Sequence, residues 1–100
     1  MDTILLSPGD NVVVLTRSVP AGATVRIHDQ EFLIRDALGL GHKLAARAIG
    51  VGEKIIKYGA PIGSATRAIE PGEHVHLHNI QSDYLPTFTL EQGREFHTSP

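Results

Sequence analysis

Apolar residues in this chain fall in short runs separated by glycine, proline and charged residues, and the runs have the period of β-strands. Val12 to Leu15 is a β-branched run, and Thr24 to Ile27 and His74 to Ile80 alternate polar with apolar positions. Gln30 to Ile34 and Lys54 to Tyr58 also read as strands, bounded by turn-forming residues. The one segment with helical spacing is Gly41 to Ala48, where Leu44, Ala45 and Ala48 share a face; glycines bound it, and it predicts a single helical turn. The pattern therefore predicts an all-β domain of short twisted strands and hairpins with at most one short helical turn.

Self-similarity supports the hairpins. Arg17 to Val25, Arg47 to Ile55 and Arg67 to Val75 share one order of residues: arginine, a small residue, an aliphatic residue, two turn residues, a glycine, then the onset of a strand. In each copy the aliphatic side chain can anchor a turn in the core while Gly22, Gly52 or Gly72 supplies the positive φ of a tight reversal. Past Asn79 the character changes. Tyr84, Leu85, Phe88 and Leu90 are scattered among polar residues and Glu91 to Pro100 is polar. The domain is expected to span residues 1–80. Residues 81–100 form a tail that either docks on a partner through those apolar side chains or frays.

Composition narrows the partners. Of the 100 residues 41% are hydrophobic, with five aromatics and no tryptophan, so the core must be built from Val, Ile, Leu and Ala. Nine Lys and Arg against eleven Asp and Glu, without a basic stripe, argue against nucleic acid. The first residues, Met1 to Leu6, carry no basic segment and too short an apolar run for a signal peptide or membrane span. The absence of cysteine excludes disulfides and thiolate chemistry and fits a cytoplasmic protein.

Six histidines are many for this length, and His74, His76 and His78 fall within five positions. On one strand their rings would emerge on one face, with Val75 and Leu77 facing the core. Neighbours would be about 6.6 Å apart at Cα and the outer two about 13 Å, so at most two of them could meet one ion. A further ligand must then come from elsewhere, and His42, on a turn just after Gly39 and Gly41, is the candidate. Asn79 could orient a histidine. Lys57 offers a cation for a carboxylate and Tyr58 a phenol for proton transfer. The same imidazoles could equally be the polar face of a half-exposed strand, and His28 and His97 are expected on the surface.

Three segments, Gly41-His42-Lys43-Leu44-Ala45, Ile56-Lys57-Tyr58-Gly59-Ala60-Pro61-Ile62-Gly63 and Gly72-Glu73-His74-Val75-His76-Leu77-His78-Asn79, resemble the successive motifs at the amino end of altronate and galactarate dehydratases. Asp10-Asn11-Val12 and Pro20-Ala21-Gly22 fit as well, so the resemblance runs in order from residue 1 to about 80. It implies an SAF domain with a β-clip fold, present in such lyases either as an N-terminal module or as a separate small subunit, as in sulfolactate sulfo-lyase. It implies β-elimination of water from a 2-hydroxy sugar acid to a 2-keto acid, carried out only together with a larger catalytic chain. It further implies a divalent metal, Fe(II) foremost with Mn or Zn as alternatives. His42, His76 and His78 are the implied catalytic and metal-binding groups, and Lys43, Lys57, Tyr58, His74 and Asn79 the implied substrate contacts. The alternative is a non-catalytic SAF module that binds carbohydrate or protein, and a homo-oligomer is compatible with either.

Overall fold

The structure is a computed structural model that describes residues 2–83. It is all-β. Among the described residues there are nine strands: β1 (Thr3–Ile4), β2 (Val12–Leu15), β3 (Thr24–Ile27), β4 (Gln30–Leu33), β5 (Lys43–Ala45), β6 (Lys54–Lys57), β7 (Ala60–Ala65), β8 (His74–Val75) and β9 (Ile80–Gln81). All pairings are antiparallel, in a four-stranded sheet β1-β2-β5-β8, a hairpin β3-β4 and a three-stranded sheet β6-β7-β9. No helix crosses or could cross a membrane among these residues.

The four-stranded sheet is covered on both faces, which explains why β2 reads as a continuous apolar run rather than an alternating one. Val12 and Ala45 face one core with Ile49, Ile55, Ile69 and Val75. Val13 and Leu44, one position along, face the other core with Leu15, Val25, Ile27 and Ile34. The β6-β7-β9 sheet closes the first core and the β3-β4 hairpin the second.

Four turns of one design organise this arrangement, where the sequence pattern shows three. Each has an aliphatic anchor, Val19, Leu38, Ile49 or Ile69, and the anchors meet in pairs as isolated bridges, Val19 with Leu38 and Ile49 with Ile69. The glycine three residues on has φ between 81° and 91° in every copy, at Gly22, Gly41, Gly52 and Gly72. Its N–H donates to the end of a neighbouring segment: to Ile34, Leu15, Ala65 and Ala45 in turn. The copy built on Leu38 escapes a search for the shared arginine because Asp36 stands at that position.

The consequence is a duplicated unit in which β5 is shared: β2, turn, hairpin, turn, β5, and then β5, turn, hairpin, turn, β8. In the third and fourth turns a glutamate closes the loop on itself. Glu53 accepts from the Gly50 N–H and Glu73 from the Glu70 N–H, both at 2.9 Å. The counterpart residues in the first two turns are Ala23 and His42.

Two expectations are corrected. Gly41 to Ala48 forms no helical turn; its centre is β5, because Leu44 and Ala45 must face opposite cores and only an extended chain places adjacent side chains on opposite sides. His74 to Ile80 is not one strand: β8 ends at Val75, residues 76–79 turn, and β9 begins in another sheet. Leu77, expected in the core, is 80% exposed. The cause is Asn79, fully buried, whose amide accepts from the His76 N–H at 3.0 Å and donates to the His74 carbonyl at 2.8 Å. The side chain takes the place of a strand neighbour and bends the backbone around itself. The tail residues Tyr84, Leu85, Phe88 and Leu90, and His97, lie outside the described residues.

Candidate functional site

The imidazoles converge by register, not by lying on one strand. His42 ends the second turn immediately before β5, and β8 pairs with β5 so that Leu44 opposes His74. Continuing that register, the position opposite His42 is the one His76 occupies. Leu44, His42, His74 and His76 thus belong to one face of the sheet, the face of the second core. The rings confirm it: centroids of His42 and His74 are 5.0 Å apart, those of His42 and His76 5.6 Å, and His74 stacks on His76 at 5.4 Å.

His42 Nδ1 and His74 Nε2 are 2.9 Å apart and share a hydrogen bond, one ring donating its proton to the other. His42, His74 and His76 each offer one ring nitrogen such that all three lie within 4.8 Å of one another. His78 sits beside this trio, its ring 5.4 Å from that of His74. His42 and His74 are half-buried while His76 is exposed, so the group opens to solvent on one side. Burial pushes the His74 pKa down to about 4, and the neighbouring His42, His78, His76 and Lys43 push the same way. His74 is therefore a neutral ligand or hydrogen-bond partner at neutral pH.

Ligand nitrogens about 2.1 Å from an ion lie about 3.0 Å apart at a right angle and about 3.4 Å apart at a tetrahedral one. The 2.9 Å between His42 and His74 is already at the short end of that range. The third ring nitrogen lies within 4.8 Å of both. An all-imidazole donor set suits borderline divalent ions such as Fe(II) or Zn(II) better than the harder Mn(II), and the exposed side leaves positions for other ligands. The residues present fit a divalent metal.

The other sequence candidates lie around this centre. Lys43, half-buried on β5, has its pKa lowered by burial and then by Lys57, so the two ammonium groups are near each other. Neither forms an ion pair among the described residues. Tyr58 is on the β6-β7 hairpin turn with φ 54° and 75% exposure, in a different sheet from the imidazoles. Its N–H and that of Gly59 are held by the Asp10 carboxylate at 2.7 and 2.8 Å. Asn79 touches the backbone of the histidine loop rather than a ring. His28 is on the β3-β4 turn, away from the trio, with φ 55°.

Sequence reasoning missed a groove of about 760 Å³ whose lining includes His74 and His78. One wall is the end of β4 and the connection to Leu38; the other is the fourth turn, from Arg67 to Glu73. The walls touch at Gly72, where a Cβ would lie 2.5 Å from the Phe32 ring. The glycine at that position was legible, but its contact with a residue forty positions earlier was not.

A small all-β module presenting an imidazole cluster beside an open groove is what this geometry defines. The family model of the altronate/galactarate dehydratase SAF domain matches residues 1–83, and the chain belongs to that family. It is 40% identical over 76 residues to the α subunit of (2R)-sulfolactate sulfo-lyase of Chromohalobacter salexigens, covering 70% of this chain and 81% of that subunit. It is 37% identical over 83 residues to altronate dehydratase of Escherichia coli and 35% over 74 residues to that of Bacillus subtilis. The matches cover 83% and 74% of this chain but 17% and 15% of those enzymes. The chain thus spans about a sixth of the altronate dehydratases and most of the sulfo-lyase α subunit.

Proposed function

We propose that this chain is the small module of a metal-dependent hydro-lyase, which acts with a larger chain on a 2-hydroxy sugar acid and yields a 2-keto acid in the cytoplasm. The observation that carries this reading is the convergence of His42, His74 and His76, three imidazoles with one ring nitrogen each within 4.8 Å of the others. These three would hold a divalent ion, Fe(II) foremost, with the larger chain completing the site. Such an ion, when bound, polarises oxygen atoms of the substrate as a Lewis acid. The relatives support the division of labour, since a sulfo-lyase keeps its counterpart as a subunit and altronate dehydratases carry theirs as a minor part of a long chain.

In the elimination, a base takes the proton next to the carboxylate, the C–O bond on the adjacent carbon breaks, and the hydroxide leaves as water after receiving a proton. The resulting enol becomes the 2-keto acid. We assign the donation of that proton to the departing oxygen to His78, which is beside the trio and lines the groove. Lys43 and Lys57, near enough to lower the pKa of the first and without an ion pair among the described residues, are suited to neutralise a substrate carboxylate.

The test is a titration of the chain with Mn(II), read as paramagnetic broadening of individual histidine ring resonances. Broadening of His42, His74 and His76 before His28 is expected, and alanine at any one of the three should weaken binding at least tenfold. Equal broadening at His28, or unchanged affinity in the three variants, would overturn the reading.

A further inference from the structure

The duplicated turns provide an internal comparison that singles out one arginine. Arg17, Arg47 and Arg67 open three copies of the turn. Arg17 is paired with Asp2, and Arg47 with Glu53 while also donating to the Ala48 carbonyl at 2.8 Å. Arg67 and Glu73 stand at the positions of Arg47 and Glu53, yet no ion pair joins them. Glu73 keeps the turn-closing bond to the Glu70 N–H, and Arg67 lines the groove instead. Arg35, on the other wall, likewise has no ion pair among the described residues.

We propose that Arg35 and Arg67 are the carboxylate-binding residues of this groove, one from each wall, and that the groove holds a polyhydroxylated acid with its hydroxyl-bearing carbons toward His74 and His78. A guanidinium presents paired N–H donors that match a carboxylate, and neither of these two exposed arginines has an ion pair among the described residues. Asp36 and Glu70 line the same groove and accept hydrogen bonds from hydroxyl groups, which favours a hydroxy acid over a bare inorganic anion. The contact between Gly72 and Phe32 fixes the two walls, so the site is preformed. This deepens the lyase reading by assigning the residues that recognise and position the acid, and it rests on that reading for the role of the imidazoles.

The experiment uses the full chain and two probes, galactarate, a linear polyhydroxy dicarboxylate, and galactitol, the same carbon chain without carboxylates. Galactarate is expected to shift the Nε–H resonances of Arg35 and Arg67 and the ring resonances of His78 saturably, and galactitol to leave them in place. Arg35→Gln and Arg67→Gln should each weaken galactarate at least fivefold, whereas Arg26→Gln, the same charge change on the exposed pair with Glu31, should not. Equal affinity for galactitol, absence of any saturable shift, or undiminished galactarate binding in the Arg35→Gln/Arg67→Gln double variant would overturn the assignment. Mn(II) broadening of the trio is read on the same samples. Galactarate binding without metal binding would remove the lyase reading and leave the groove, and metal binding without galactarate binding would do the reverse.

Discussion

Replacing Asn79 with alanine tests whether one buried amide both holds the fold and sets the imidazoles in place. The side chain is fully buried and serves two main-chain groups of the histidine loop, the His76 N–H and the His74 carbonyl. Its own N–H and carbonyl, bonded to His76 and Thr66, survive the substitution. Each main-chain group left without a partner in a dry site costs about 1–3 kcal/mol, so with two such groups the variant should lose roughly 2–6 kcal/mol. In a domain of this size that lowers the melting temperature by about 10 °C or more. Urea unfolding followed by circular dichroism measures the first number, and the Mn(II) titration, run where the variant is still folded, measures the second effect: affinity at the trio should fall at least fivefold. Asn79→Asp keeps an acceptor for His76 but sets a carboxylate against the His74 carbonyl, and should be no better than alanine. A loss below about 0.5 kcal/mol would refute the account of the loop. A large loss of stability with metal affinity unchanged would refute the positioning role.

Two further outcomes follow from the turns and the surface. Gly52→Ala and Gly72→Ala impose the same left-handed strain, at φ 81° and 83°, but only at Gly72 does the new Cβ meet an obstacle, 2.5 Å from the Phe32 ring. The first should cost about 1–2 kcal/mol and the second clearly more, with galactarate binding weakened only in the second; equal losses by urea unfolding would sink the packing argument. The Asp2 carboxyl is held below its ordinary pKa by the Arg26 N–H and then by Arg17. Because the folded value is the lower one, its stabilisation is present above about pH 4 and disappears as pH falls through the folded value. Asp2→Asn should flatten stability against pH in that acidic window, measured by thermal unfolding, and an unchanged slope would exclude Asp2 as a contributor.

Much of the architecture was legible because β-structure writes itself locally. The alternation at Thr24 to Ile27 and the run at Val12 to Leu15 each state which faces are buried, and the structure has β3 and β2 there. What local pattern could not state was pairing between distant segments. Leu44 and Ala45 look like a helical face until two cores are known to flank β5, and alternation carries no sign that Asn79 will fold back on His74 and His76. The candidate site shows the same division. The histidine cluster was visible as composition, and the approach of His42 follows from the β5-β8 register, which no single stretch contains. Arg35 and Arg67 are ordinary arginines in sequence; only comparison of equivalent turns distinguishes Arg67 from Arg47.

The second turn differs from its siblings in a way that bears on how this protein divides robustness from reactivity. The first turn begins with Pro20, which has no N–H to satisfy, and the third and fourth are latched by Glu53 and Glu73. Only the second begins with a glycine whose amide meets no acidic latch, because an imidazole, His42, occupies the latch position and reaches toward His74 instead. A glutamate there would fasten the loop and silence the cluster. The molecule therefore gives up a turn-closing contact where its most versatile side chain is needed, and selection for thermal endurance alone would be expected to erode that histidine first.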